Sequence, residues 1–274
     1  MTTERFSLDG KIALALGCTS GIGRQISLGL AEVGATVIPV SRTPEKVDKV
    51  TAELQAIGSQ ATGRVADLLD IGAIPDLIRD VIEEHGHIDI LLNAQGVTRR
   101  APAVELGEED YDRIMDTNLK SVFFSCTEVG RHMLERGTGV VINIASMSSY
   151  RRVPGASLYS MSKTAIVSLT ESLASEWAES GVRVNGIAPG FFLTDLNRHI
   201  LVGERKKAIM DRTPMGRFGE LEELVGAAIY LCSDAAKFVT GETIRVDAVS
   251  YTHLRAHETA AARVCRRGGG KKRG

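Results

Sequence analysis

Tyr159 and Lys163 sit four residues apart, in Tyr159-Ser160-Met161-Ser162-Lys163. On a helix that spacing puts both side chains on one face. A free tyrosine holds its proton at neutral pH. A nearby ammonium favours the phenolate and pulls the pKa down. Such a pair is suited to acid/base work near pH 7. The motif also arises by chance on helices, so its meaning depends on what surrounds it.

A second cluster lies near the start of the chain. Gly17-Cys18-Thr19-Ser20-Gly21-Ile22-Gly23 follows the apolar run Ile12–Leu16 and precedes a helical pattern through Ile26, Leu30 and Val33. Glycines let the backbone approach a pyrophosphate, and a helix N-terminus supplies N–H groups and a positive dipole end. Its spacing is G-x-x-x-G-x-G, not the commoner G-x-G-x-x-G; a plain glycine-rich turn is the bland alternative. At the end of the next apolar run the chain reads Ser41-Arg42, with no carboxylate. A carboxylate there would suit the ribose 2′-hydroxyl of NAD, whereas an arginine suits the 2′-phosphate of NADP. NADP is therefore expected, with NAD as the alternative.

Elements that position these residues follow a regular rhythm. Strands are expected at about 11–16, 37–40, 61–66, 88–93, 140–145, 182–188 and 243–246. Helices are expected after Gly23, at 45–57, 71–84, 158–179 and 220–232, with one long or two abutting helices over 108–136. Alternating β and α predicts a doubly wound parallel sheet of about seven strands in three α/β/α layers. The apolar strands fit a sheet buried on both faces. Pro39 is awkward for a central strand because it lacks an N–H.

The chain has 274 residues, 43% hydrophobic and 24% charged, which allows one large α/β domain. Its formal net charge of −1 combines a +6 segment at 251–274 with −7 for the rest. Nothing global points to nucleic acid. Cys18, Cys126, Cys232 and Cys265 are widely spaced, which fits reduced thiols in a cytoplasmic protein. No basic-then-apolar leader opens the chain, and no apolar run reaches the roughly 20 residues of a membrane span. The histidines have no metal-ligand spacing, and no catalytic metal is expected.

Together these residues resemble the short-chain dehydrogenase/reductase family, over roughly residues 7–247. The resemblance runs through Gly17–Gly23, Asp67, Asn93 to Gly96, Asn118, Ser146, Tyr159, Lys163 and Pro189-Gly190, in the family's order. It implies a Rossmann-type fold and a catalytic tetrad of Asn118, Ser146, Tyr159 and Lys163. Ser146 would hydrogen-bond a substrate carbonyl oxygen, and Tyr159 would exchange a proton with it. Lys163 would lower the tyrosine pKa and hold the nicotinamide ribose, and Asn118 would steady a proton-relaying water. The cofactor would meet Gly17, Thr19, Ser20, Gly21, Ile22, Gly23, Ser41, Arg42, Asp67, Leu68, Asn93, Gly96, Pro189, Gly190, Phe192 and Thr194. Three positions depart from the family: Leu16 precedes the first glycine, and Ala94 and Gln95 stand within its Asn-Asn-Ala-Gly motif.

Arg99-Arg100 and Arg151-Arg152 are expected at the same edge of the sheet, where they would favour an anionic substrate. Phe191 would join a water-excluding lid over 191–212. Within the family, the stretch from Pro189 to Asn197 looks most like gluconate 5-dehydrogenase-type sugar-acid enzymes. The alternatives are a 3-oxoacyl-acyl-carrier-protein reductase and a non-catalytic NADP-binding sensor. No nucleic-acid or membrane partner is expected; a homo-tetramer or dimer is. After Asp247 the chain leaves the family pattern. Residues 248–274 form a basic tail, read as disordered or as non-native read-through, which puts assembly in doubt.

Overall fold

A computed structural model describes residues 4–151, 153–194, 203–211 and 213–248, the Arg205 side chain excepted. Seven parallel strands form one sheet: β1 (Ile12–Leu16), β2 (Thr36–Ser41), β3 (Arg64–Val65), β4 (Ile90–Asn93), β5 (Gly139–Ile144), β6 (Val182–Pro189) and β7 (Thr243–Val246), in the order β3-β2-β1-β4-β5-β6-β7. The order of strands across the sheet changes its direction of progression between β1 and β4, while the strands stay parallel. In open α/β sheets, that reversal leaves a crevice outside the carboxyl ends of the strands, where ligands bind.

The IALAL run of β1 is buried at every position. Side chains alternate across a strand. Thus Ile12, Leu14 and Leu16 pack with α3 (Ile74–His85), α5 (Ser121–Arg136) and α6 (Ser157–Trp177). Ala13 and Ala15 face the other layer, α1 (Gly21–Glu32), α2 (Pro44–Ala56) and α8 (Val225–Cys232). The two remaining helices are α4 (Glu108–Met115) and α7 (Gly203–Met210). The expected doubly wound, three-layer sheet is the one observed.

Several elements differ from expectation in instructive ways. Pro39 does lie in a central strand. Thr36 N–H bonds to Lys11 on the β1 side, so Pro39 faces the β3 side. There β3 pairs only with Val40 and Ser41, and no ladder bond is lost. Strand β3 is two residues long because the chain before it is held by other groups, such as the Gln55 side chain on the Ala61 carbonyl (2.9 Å). Two expected helices begin with a turn of 3₁₀ helix, at Ile71–Ala73 and Leu221–Leu224. The stretch 108–136 is two helices joined by a π turn, Asp116–Lys120. π turns concentrate at functional sites.

Candidate active site

Gly17 closes β1 with φ +70, and a Cβ there would lie 2.5 Å from the Gln95 backbone. A Cβ on Gly23 would lie 2.7 Å from the Gly17 carbonyl oxygen. Only glycine permits so tight a turn. Helix α1 starts directly after it. Ser20, its N-cap, makes no side-chain cap bond, and the first turn carries no acidic residue. The helix therefore offers unspent N–H groups and a positive dipole end to an anion.

This turn forms one end of a cleft of about 500 Å³ along the carboxyl edge of the sheet. Most expected cofactor residues border it: Gly17, Ser20 to Gly23, Ser41, Arg42, Asp67, Leu68, Gly96, Pro189, Gly190, Phe192 and Thr194. Thr194 lies against Gly21, beside the start of α1. Thr19 and Asn93 do not border the cleft. Asn93 sits below it, donating from Nδ2 to Asn143 Oδ1 on β5 (2.9 Å) and to Cys126 (3.2 Å). Lys46 of α2 borders the cleft beside Arg42 and had no expected role. Its only sequence signal is a second basic side chain one helical turn beyond Arg42. Among the described residues, neither cation forms an ion pair.

Ser146, Tyr159 and Lys163 border the same cleft, beyond Gly96. Ser146 follows β5 as N-cap of a 3₁₀ turn, Met147–Ser149. Tyr159 and Lys163 project from the first turns of α6. Burial pushes the Tyr159 phenol above its usual 10, and its hydrogen bond with Ser146 pulls it back down. Lys163 is only 4% exposed. Its Nζ donates to the Ile144 carbonyl oxygen at 2.7 Å, and burial lowers its pKa from 10.5 to about 8. In this arrangement the Ser146 hydrogen bond offsets part of what burial does to the tyrosine. The lysine's charge is turned to β5 and weakened by desolvation.

Asn118 is fully buried in the π turn. Its Oδ1 accepts from Val97 N–H (2.7 Å), and its Nδ2 donates to Val97 O (2.9 Å) and Ser162 Oγ (3.0 Å). The side-chain amide clamps the loop after β4 onto α6. Gln95 is buried, with its Nε2 directed at Ser121 Oγ (3.3 Å) and Asn93 Oδ1 (3.5 Å).

Arg99, Arg100 and Arg151 are not among the residues that border the cleft. Arg99 pairs with Asp110 (3.1 Å), and Arg100 donates to the Pro154 carbonyl (2.7 Å). Arg151 is partly buried away from the cleft, and Arg152 lies outside the described residues. Loop segments near a sheet edge can point along it as well as into it, which spacing alone does not reveal. Phe191 packs edge-on to Phe218 and borders a neighbouring cavity of about 270 Å³, while Phe192 borders both spaces. Of the expected lid, residues 195–202 and 212 lie outside the described residues, as do 249–274 of the tail.

Among the described residues, no group of three or more His, Cys, Asp or Glu is placed to hold a metal. None of their helices is long and apolar enough to cross a membrane. Cys18, Cys126 and Cys232 are free and buried, with their thiols pushed up to about 11, 12 and 12.

Comparison with known proteins agrees with this geometry. A family model described as enoyl-(acyl carrier protein) reductase matches residues 17–248. A gluconate 5-dehydrogenase of Gluconobacter oxydans is 40% identical over 245 residues, which is 89% of this chain and 96% of that protein. A 2-dehydro-3-deoxy-D-gluconate 5-dehydrogenase of Escherichia coli is 39% identical over 254 residues, 90% and 98% of the two chains. The crystal structure of a gluconate 5-dehydrogenase from Burkholderia cenocepacia, in complex with NADP and tartrate, superposes with a TM-score of 0.89. It is 37% identical, with 91% of this chain and 98% of that one covered.

Proposed function

The chain belongs to the short-chain dehydrogenase/reductase family, and on that premise we propose that it interconverts a secondary alcohol and a ketone on a sugar acid. One observation carries the reading: Tyr159, hydrogen-bonded to Ser146, lines with it and Lys163 the same cleft that the glycine turn opens. The names of the relatives support a gluconate-like substrate. Arg42 and Lys46 support NADP, as does the NADP bound in the similar crystal structure. When bound, NADP supplies or accepts the hydride.

The chain's own residues do the rest. The glycine turn and the first turn of α1 would hold the pyrophosphate through backbone N–H groups. Arg42 and Lys46 would hold the 2′-phosphate, and Asp67 would serve the adenine end. Ser146 Oγ–H donates to the substrate oxygen and stabilises the charge that develops there. Tyr159 gives that oxygen a proton in reduction and removes one in oxidation. Lys163, held between α6 and β5, stands where the ribose of the nicotinamide would lie. Asn118 keeps the loop after β4 seated on α6.

We read residues 1–247 as one catalytic domain and 248–274 as lying outside it. Exposed Phe123, Phe124 and Met161 support association with further copies of the chain. Three buried free thiols support a cytoplasmic setting.

The test is turnover. Purified protein with NADPH should reduce a 5-keto sugar acid, with little reduction of acetoacetyl thioesters. Tyr159→Phe should lower kcat at least about 100-fold, while NADPH binding is kept. Activity on the thioester alone would move the substrate to the acyl-carrier class. NADPH binding without oxidation by any ketone would move the chain to the sensor class.

A further inference from the structure

Ser148 lies just behind Ser146, in the 3₁₀ turn that follows β5. It is only 4% exposed and is not among the residues that border the cleft. Its backbone N–H donates to Ser146 Oγ at 3.2 Å, and its own Oγ lies 3.0 Å from the same atom. Among the described residues, the Ser148 side chain has no other hydrogen-bond partner. A buried hydroxyl proton is not left unpaired when an acceptor is in reach. Its acceptor is therefore Ser146 Oγ.

A serine hydroxyl has one proton to give and two lone pairs to receive with. Ser148 fills both lone pairs of Ser146, one from its N–H and one from its O–H. What remains to Ser146 is its proton. We infer that Ser148 is a positioning residue that makes Ser146 an obligate donor toward Tyr159 and the substrate oxygen. The inference rests on the activity proposed above.

This has a chemical consequence in each direction. In reduction, the oxygen that gains charge always faces a donor. In oxidation, the alcohol proton cannot be given to Ser146, so Tyr159 is its sole acceptor on that wall. Without the Ser148 hydroxyl, Ser146 can turn and accept from a neutral tyrosine. That alternative favours the protonated phenol and raises its pKa. Around Tyr159, Lys163 is on the same helix, and the other charged groups on the cleft (Arg42, Lys46 and Asp67) belong to the β2, α2 and β3 region. Burial raises the tyrosine's pKa, and the Ser146 hydrogen bond opposes that rise.

The experiment compares Ser148→Ala and Ser148→Thr, each in the natural chain and in a Ser146→Ala background. Turnover is followed with whichever ketone the protein reduces. The Tyr159 phenol is titrated by phenolate absorbance against Tyr159→Phe, which needs no substrate. Ser148→Ala should lower kcat about tenfold, roughly the worth of one hydrogen bond, with KM nearly unchanged. It should raise the midpoint of the Tyr159 titration. Ser148→Thr, which keeps the hydroxyl, should restore both. In the Ser146→Ala background, Ser148→Ala should change neither. An unmoved tyrosine midpoint in Ser148→Ala, or an equal loss in the Ser146→Ala background, would overturn the inference. Absence of turnover with every ketone would refute the proposed activity instead, and the titration would still decide the role of Ser148.

Discussion

Replacing Lys163 with methionine should make the protein more stable and inactive. At pH 7 the buried ammonium is protonated in both folded and unfolded chains, because both pKa values lie higher. The fall from 10.5 to about 8 measures what burial costs the charge. At about 1.4 kcal/mol per pH unit, that cost is roughly 3 kcal/mol. Methionine fills similar space without a charge. It also removes the bond from Nζ to the Ile144 carbonyl and leaves that acceptor unpaired, a loss of about 1–2 kcal/mol. The expected net gain is about 1–2 kcal/mol, or a few degrees in Tm. Sign and window follow from linkage. Between pH 8 and 10.5 the unfolded chain binds the lysine proton and the folded chain has lost it, so the natural protein gains stability there with rising pH. The variant's advantage should be full below pH 8 and should shrink toward pH 10.5. Urea unfolding across that range, without added nucleotide, provides the measurement. A variant less stable at pH 7, or an advantage constant to pH 10.5, would refute the reasoning.

Further outcomes can be stated briefly. Arg42→Ala and Lys46→Ala should each weaken NADPH binding roughly 10- to 150-fold, since each charged hydrogen bond is worth about 1.5–3 kcal/mol; NADH binding, measured by the same fluorescence titration, should barely change. Gly17→Ala should abolish binding of either nucleotide and lower stability by about 2 kcal/mol or more, from strain at positive φ and a clash with the Gln95 backbone. Asn118→Ala should lower Tm and kcat together, because the clamp between Val97 and Ser162 is lost; a variant of unchanged Tm would show that the clamp is weak.

Much of this arrangement is legible in the sequence. Apolar runs ending in glycine or serine placed the strands, and the four-residue gap from Tyr159 to Lys163 placed both on one helix face. Order along the chain then brought Ser146 to the same sheet edge. What stayed hidden depended on contacts between segments far apart in sequence. The partner of Lys163 is a carbonyl 19 residues away, and that of Asn118 is a loop 21 residues away. Arg99 and Arg100 looked like anion ligands because charge is visible in a sequence. Their engagement with Asp110 and Pro154 is not. Ser148 carried no signal at all, since one serine among several after a strand is unremarkable until its proton has only one place to go.

The π turn at Asp116–Lys120 bears on which insertions and deletions this chain can tolerate. It holds one residue more than an α-helical turn would need. Removing any one residue there would join α4 and α5 into a straight rod. Each residue in a helix turns the chain by about 100°. The loss would therefore swing one half against the other by that angle. If α5 turned, Val122, Cys126, Val129 and Met133 would leave the core; if α4 turned, Ile114 would. The extra residue is thus locked in by the packing on both sides of it. Apart from Asn118, whose amide is committed to Val97 and Ser162, residues 116–120 can vary in identity far more readily than in number.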